Sequence, residues 1–259
     1  IVRTKIINIH GKRNDSISGV GEYQELVVAT NTMPREDWVK AWTFCWMTGL
    51  IYFNKLLQIP IITLHEYYGV SYSQALGTFT EHPSCSKELP VLSEVYKFFA
   101  DLARDIQAGR SGEYFHSEEW LDIWWPPEEY IFIKLCVENK LEAFYREAEM
   151  VMMRFVPSGK PIGPLLDSLK LNKYLIKLPF QTEDLNLNLN YNIWDVYCAV
   201  LLGGTADYKS GNYNYLIDRT TERWDSWNEW YQKMVWYCNR RGAYLYGNKN
   251  HHKEIAGHY

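Results

Sequence analysis

Residues 25–47 read Glu25-Leu-Val-Val-Ala-Thr-Asn-Thr-Met-Pro-Arg-Glu-Asp-Trp-Val-Lys-Ala-Trp-Thr-Phe-Cys-Trp-Met47, and the structural period changes within them. Leu26 to Ala29 is a strand-like apolar run, Thr30 to Pro34 are turn formers, and beyond Trp38 the apolar residues recur at helical spacing. Thr32 is the expected N-cap and Pro34 is tolerated in a first turn. Glu36 and Asp37 complement the positive end of the helix. The helix is expected to run to about Gln58 and to carry Trp38, Trp42, Cys45, Gly49 and Phe53 on one stripe. Positions 41–53 are apolar nearly all round, which predicts a central helix with Trp42 and Cys45 almost inaccessible. A membrane span needs about 20 mostly apolar residues. Lys55 and Gln58 interrupt this run and Pro60 follows, so no membrane span is expected.

Working outward, residues 1–9 and 22–29 read as short strands around the polar loop 10–21. Helices are predicted over 61–68 and 72–80, split at Gly69, with a loop over 81–88. An amphipathic helix marked by Leu89, Leu92, Tyr96, Phe99, Ala103 and Ile106 follows, stopping near Gly109. Ser117 with Glu118 and Glu119 predicts a short helix through Trp124. Pro126-Pro-Glu-Glu129 then restarts a helix whose apolar positions keep core spacing to Phe155. Gly and Pro cluster at 157–164, the best internal boundary. A helix over 165–177 precedes Leu185-Asn-Leu-Asn-Leu-Asn-Tyr191, whose period of two is that of a half-buried strand. Residues 213–218 are its candidate partner, and helices are expected over 194–202 and 222–240. The class is mainly α, with about seven to nine helices and a small antiparallel β element. Four stretches follow: a strand-containing segment 1–34, a helical region 35–156, a second helical part with the β element over 157–247, and a polar tail 248–259.

Composition excludes several functions. Net charge is −4 with acids and bases dispersed along the chain, so nucleic acid is not an expected partner. The five cysteines are odd in number and never at C-x-x-C spacing. That disfavours a disulfide framework or a cysteine-built metal site and fits a cytoplasmic protein. Aromatic residues make up 16% of the chain, with 11 Trp, 20 Tyr and 10 Phe. Such rings build thick cores first and line ligand pockets second.

Isolated motif fragments carry little. Ser84-Cys-Ser-Lys87 matches S-x-x-K without its companion motifs. His65-Glu66 opens like a zincin helix, but Gly69 stands where the second histidine must fall. Gly19-Val-Gly21 and Ser158-Gly-Lys160 lack the rest of a phosphate loop. His251, His252 and His258 sit in the tail. The acidic pairs at 36–37, 118–119 and 128–129 each open a predicted helix, where carboxylates complement the dipole. No catalytic or metal-binding residue is assigned.

Two stretches resemble one family. Glu25 to Trp38, and Val235-Trp-Tyr-Cys-Asn-Arg-Arg-Gly-Ala-Tyr-Leu-Tyr246, are similar to segments that follow the catalytic barrel in cobalamin-binding radical-SAM proteins. Asn190-Tyr-Asn-Ile-Trp-Asp-Val-Tyr197 is similar to a stretch between them. The resemblance implies a C-terminal accessory domain whose partner is the barrel of a parent chain, acting on a small-molecule substrate. The parent would use an iron–sulfur cluster, S-adenosylmethionine and cobalamin, with methyl transfer the candidate reaction. The cluster motif C-x-x-x-C-x-x-C and the cobalamin motif D-x-H-x-x-G do not occur here, so no cofactor ligand carries over to this chain. An opening at Ile1 in mid-strand fits the reading as a piece of a longer protein.

One substrate-binding corner is expected, at Asn31 and Trp38. Asn31 would present hydrogen-bond donors beside the first free helical amides, and Trp38 an aromatic wall one turn on. The bland alternative is a turn residue and a core ring. The rival functions are a free-standing binding module for an aromatic or carbohydrate ligand and an enzyme with a site assembled from dispersed residues.

Overall fold

The computed structural model describes residues 1–12, 21–81, 87–237 and 244–247. The fold is mainly α, with three two-stranded antiparallel sheets among the described residues. Strand β1 (Val2–Lys5) pairs with β2 (Tyr23–Leu26), Val2 lying opposite Leu26 and Lys5 opposite Tyr23. The turn after β2 is closed by Thr30, whose Oγ1 accepts from the Met33 amide at 3.0 Å. Helix α1 (Arg35–Thr48) starts after Pro34, and no side chain caps it. The expected Thr32 cap is therefore incorrect. The helix start is instead fastened to the end of α4 (Pro90–Gln107). Gln107 Nε2 donates to the carbonyls of Val28 and Arg35, and the Arg35 guanidinium donates to the Gln107 carbonyl.

The expected continuous helix to Gln58 breaks. Helix α1 loosens into a π-helical turn, Gly49–Phe53, in which the Asn54 amide donates to the Gly49 carbonyl at 2.7 Å. Lys55 then takes a left-handed conformation at φ 60°, which a helix does not tolerate. The chain resumes as α2 (Gln58–Tyr68), bent 90° from α1. Asn172, on α7 (Gly163–Leu175), holds the bend. Its Nδ2 donates to the carbonyls of Lys55 and Leu56, and its Oδ1 accepts from the Ile59 amide. Tyr145 adds a hydroxyl bond to the Leu56 carbonyl.

Burial is also redistributed. Every residue from Gln58 to Leu64 is buried, so α2 is the enclosed helix. Helix α1 buries Val39, Thr43, Trp46 and Met47 but exposes Asp37, Lys40, Ala41, Phe44 and Cys45 along one side. The expectation that Trp42 and Cys45 would be inaccessible fails: Trp42 is half-buried and Cys45 exposed. Among the described residues no single helix is long and apolar enough to cross a membrane. The bent pair comes nearest, yet the apolar surface of α2 is already taken up by protein.

Gly69, at φ 76°, ends α2 in the left-handed conformation that glycine adopts at little cost, and α3 (Tyr72–Glu81) follows. Helix α4 buries its amphipathic stripe. Its first amides are capped from a distance by Glu147 on α6 (Leu141–Met152), whose carboxylate accepts from Val91 and Leu92 at 3.1 and 2.8 Å. The short helix expected over 117–124 is a hairpin, β3 (Phe115–Ser117) with β4 (Ile123–Trp125). Its turn places Leu121 and Asp122 at positive φ, and Phe115, Ile123, Trp124 and Trp125 on its strands are aromatic or β-branched residues that suit a pleated surface. The long helix expected from Pro127 to Phe155 is two, α5 (Pro127–Val137) and α6, separated by left-handed Asn139. Lys134 and Lys140 converge on Glu94 across that break.

Strand β5 (Leu185–Tyr191) pairs with β6 (Ser210–Ile217) as the alternation predicts, burying Leu187 and Leu189 and exposing the asparagines. Helix α8 (Ile193–Leu201) lies between them in sequence. The last helix starts at Trp227 rather than 222, because Ser226 caps it by accepting from the Glu229 amide. It is α9 (Trp227–Trp230) and continues as a π-helical turn, Tyr231–Tyr237. Residues 238–243 and the tail from 248 lie outside the described residues. One apolar core includes both Phe144 and Leu165, so it continues across the Gly/Pro stretch at 157–164.

Candidate functional site

The exposed side of α1 is not bare surface. It forms one wall of a cavity of about 610 Å³. Trp38, Trp42 and Trp46 sit one helical turn apart and pack as a ladder, with ring centroids 5.3 and 5.0 Å apart. Trp38, only 4% exposed, anchors the ladder in the core, while Trp42 and Trp46 reach the cavity. Phe44, Phe53 and Tyr114 complete its aromatic lining. Phe53 sits at the end of the π-helical turn and is 65% exposed. The extra residue per turn in π geometry shifts the side chains that follow.

The polar part of the lining comes from three segments. Thr48 and Asn54 flank the π-helical turn, Glu113 precedes β3, and Glu128 stands in the first turn of α5. Gly49 permits this meeting: a Cβ there would lie 3.2 Å from Glu128 Cγ. Glu128 and Glu129 project about 100° apart around their helix. Glu129 turns away to meet His10 in a buried 2.7 Å contact with Nε2. His10 is itself held by its amide bond to the Trp124 carbonyl.

Three polar atoms on the cavity residues are shielded from solvent and have no partner among the described residues: Thr48 Oγ1, Asn54 Nδ2 and Glu128 Oε2. A buried polar group without a partner costs about 1–3 kcal/mol, and native folds keep few of them. Such atoms also occur away from the cavity, at Thr4, Thr43 and Tyr215; those of Thr48, Asn54 and Glu128 share one lining. Glu128 as a whole is half-buried because it borders the cavity, while its Oε2 is enclosed. Burial pushes its carboxyl up to about 7; its own backbone amide opposes this and the Glu129 charge adds to it. Near neutral pH the group therefore donates or accepts a proton with small cost. Burial, then the Glu128 charge, raises the Cys45 thiol. Tyr114 is raised by burial and then by Glu113 and Glu128. Both stay protonated near pH 7, so neither is an activated nucleophile.

Asn31 is exposed in the turn before the Pro34 cap, and Trp38 is a core ring; neither lines the cavity. The other fragments have structural partners. His65 Nδ1 contacts the Val70 carbonyl at 2.9 Å, and Lys160 donates to the Tyr67 carbonyl. Glu36 and Asp37 are exposed in the first turn of α1. Glu118 and Glu119 are exposed between β3 and β4, where no helix forms. Ser84 to Ser86 and the tail histidines lie outside the described residues.

By its sequence position Glu128 is only a carboxylate that complements the helix dipole. The available signal was its setting, after Trp124-Trp125 and two prolines and two residues before Tyr130, an apolar neighbourhood for an acid. Comparisons with models of known protein families and with curated proteins found no match.

Proposed function

We propose that this chain is the C-terminal substrate-recognition region of a cobalamin-dependent radical-SAM enzyme, with the α1–α5 cavity holding part of a small-molecule substrate. The observation that carries the recognition role is the cavity lining, which combines aromatic rings with three polar atoms that have no partner among the described residues. The parentage rests on the sequence resemblance of 25–38, 190–197 and 235–246. In this reading the catalytic barrel lies elsewhere in the parent chain, the enzyme is cytoplasmic, and methyl transfer is the reaction served. Cys45 on α1, Cys136 on α5 and Cys198 on α8 stand apart. No group of three metal-ligating side chains occurs among the described residues. In this reading the share of this chain is to bind and orient the substrate.

Reading the codons upstream of residue 1 tests the parentage. An in-frame Cys-x-x-x-Cys-x-x-Cys triad supports it, and an initiator codon immediately before Ile1 overturns it. The recognition role is tested in the full enzyme with Phe53→Ala, which should raise KM while leaving the melting temperature unchanged. An unchanged KM removes the cavity from substrate binding. The aromatic lining also favours a second reading, a free-standing module for an aromatic or carbohydrate ligand. That module would bind its ligand at full affinity without a barrel.

A further inference from the structure

From the composition of this lining we infer that the cavity accepts a small organic cation, an ammonium group on a molecule that also carries a hydrogen-bond acceptor. The inference rests on the cavity's recognition role and narrows it to a ligand class.

Three observations converge. Among the described residues, the lining holds two carboxyl groups, Glu113 and Glu128, and no arginine, lysine or histidine. An anionic ligand would meet acids with no compensating base, whereas a cation would be matched. The rings of Trp42, Trp46, Phe44, Phe53 and Tyr114 line the same cavity, and aromatic rings attract cations, Trp most strongly. Finally, Asn54 is 3% exposed and its Nδ2 is an unpartnered donor on this wall. An acceptor on the ligand, such as a hydroxyl or carbonyl oxygen, would satisfy that donor.

The charged and titratable groups around Glu128 reinforce this choice. Cys45 faces it from α1, Glu113 and Tyr114 from the segment before β3, and Glu129 from its own helix with His10 beyond. An arriving cation stabilises the Glu128 carboxylate against its neighbours, so binding below neutral pH expels one proton from that carboxyl. Affinity should then rise with pH until Glu128 is already ionised in the free protein.

Isothermal titration of the chain with choline, its uncharged isostere 3,3-dimethylbutan-1-ol, and glucose tests the assignment. Choline should bind at least roughly tenfold tighter than the isostere. Its affinity should climb by up to about tenfold per pH unit between pH ~5 and ~7 and level off above. Glu128→Gln should remove that pH dependence, and Phe53→Ala should weaken choline binding in a protein that still folds. Equal binding of the isostere, or preferential binding of glucose, overturns the cation assignment and leaves a recognition cavity. Failure of all three probes at millimolar concentration overturns the recognition role as well.

Discussion

Two asparagines near the end of α1 serve opposite ends. Asn172 is fully buried and bonds through both ends of its amide, to Lys55, Leu56, Tyr145 and Ile59. Asn54, just before the bend that Asn172 clamps, is nearly as buried, yet its Nδ2 has no partner among the described residues. A buried amide with all its bonds made stabilises one backbone geometry, whereas one left open costs free energy that folding alone does not recover. The clamp is architecture. The open amide, with Thr48 and Glu128, lines a cavity held by that architecture, and under the proposed function it is the binding surface.

Breaking the clamp should have the largest effect. Asn172→Ala orphans the Ile59 amide and withdraws a donor from two carbonyls, so unfolding in urea should show a loss of about 4 kcal/mol. A loss below about 1 kcal/mol would mean that the bend is held by packing alone. Glu147→Ala removes a carboxylate that caps two amides of α4 and should cost about 3 kcal/mol. Glu147→Gln should recover part of that, because one acceptor oxygen remains.

On the cavity side the sign reverses. The Glu128 carboxyl is raised from its ordinary value to about 7 in the folded protein. The folded state therefore binds more protons than the unfolded state between these values. Its contribution is fully present below pH ~4.5 and is lost as pH rises toward ~7. Glu128→Gln should flatten this dependence and raise stability above pH ~7 by on the order of 2 kcal/mol. A variant that loses stability at every pH would show that Glu128 is structural and would sink the contrast with Asn172. Phe53→Ala should be the mildest change, shifting stability by no more than about 0.5 kcal/mol because the ring is mostly exposed. A large melting-temperature drop in that variant would make Phe53 core rather than lining.

What the chain announced in one dimension was the class of its elements. The alternation of Leu185 to Tyr191 placed one strand, the apolar spacing of 89–106 placed α4, and Gly69 marked a helix end, because each depends on local periodicity or a single φ. The same reasoning ran α1 through to Gln58 and α5 through to Phe155, and made a helix of the β3–β4 hairpin. Those outcomes were decided by partners distant in sequence, such as Asn172 at the bend and Glu94 beneath the Asn139 break. The cavity was least legible of all. Trp42, Phe44, Cys45 and Phe53 follow the pattern of a core face, since hydrophobic spacing records that a surface is apolar and not what covers it. Only the tertiary structure, by bringing Glu128 to Gly49 and leaving Asn54 Nδ2 without a partner among the described residues, turned that face into the wall of a cavity.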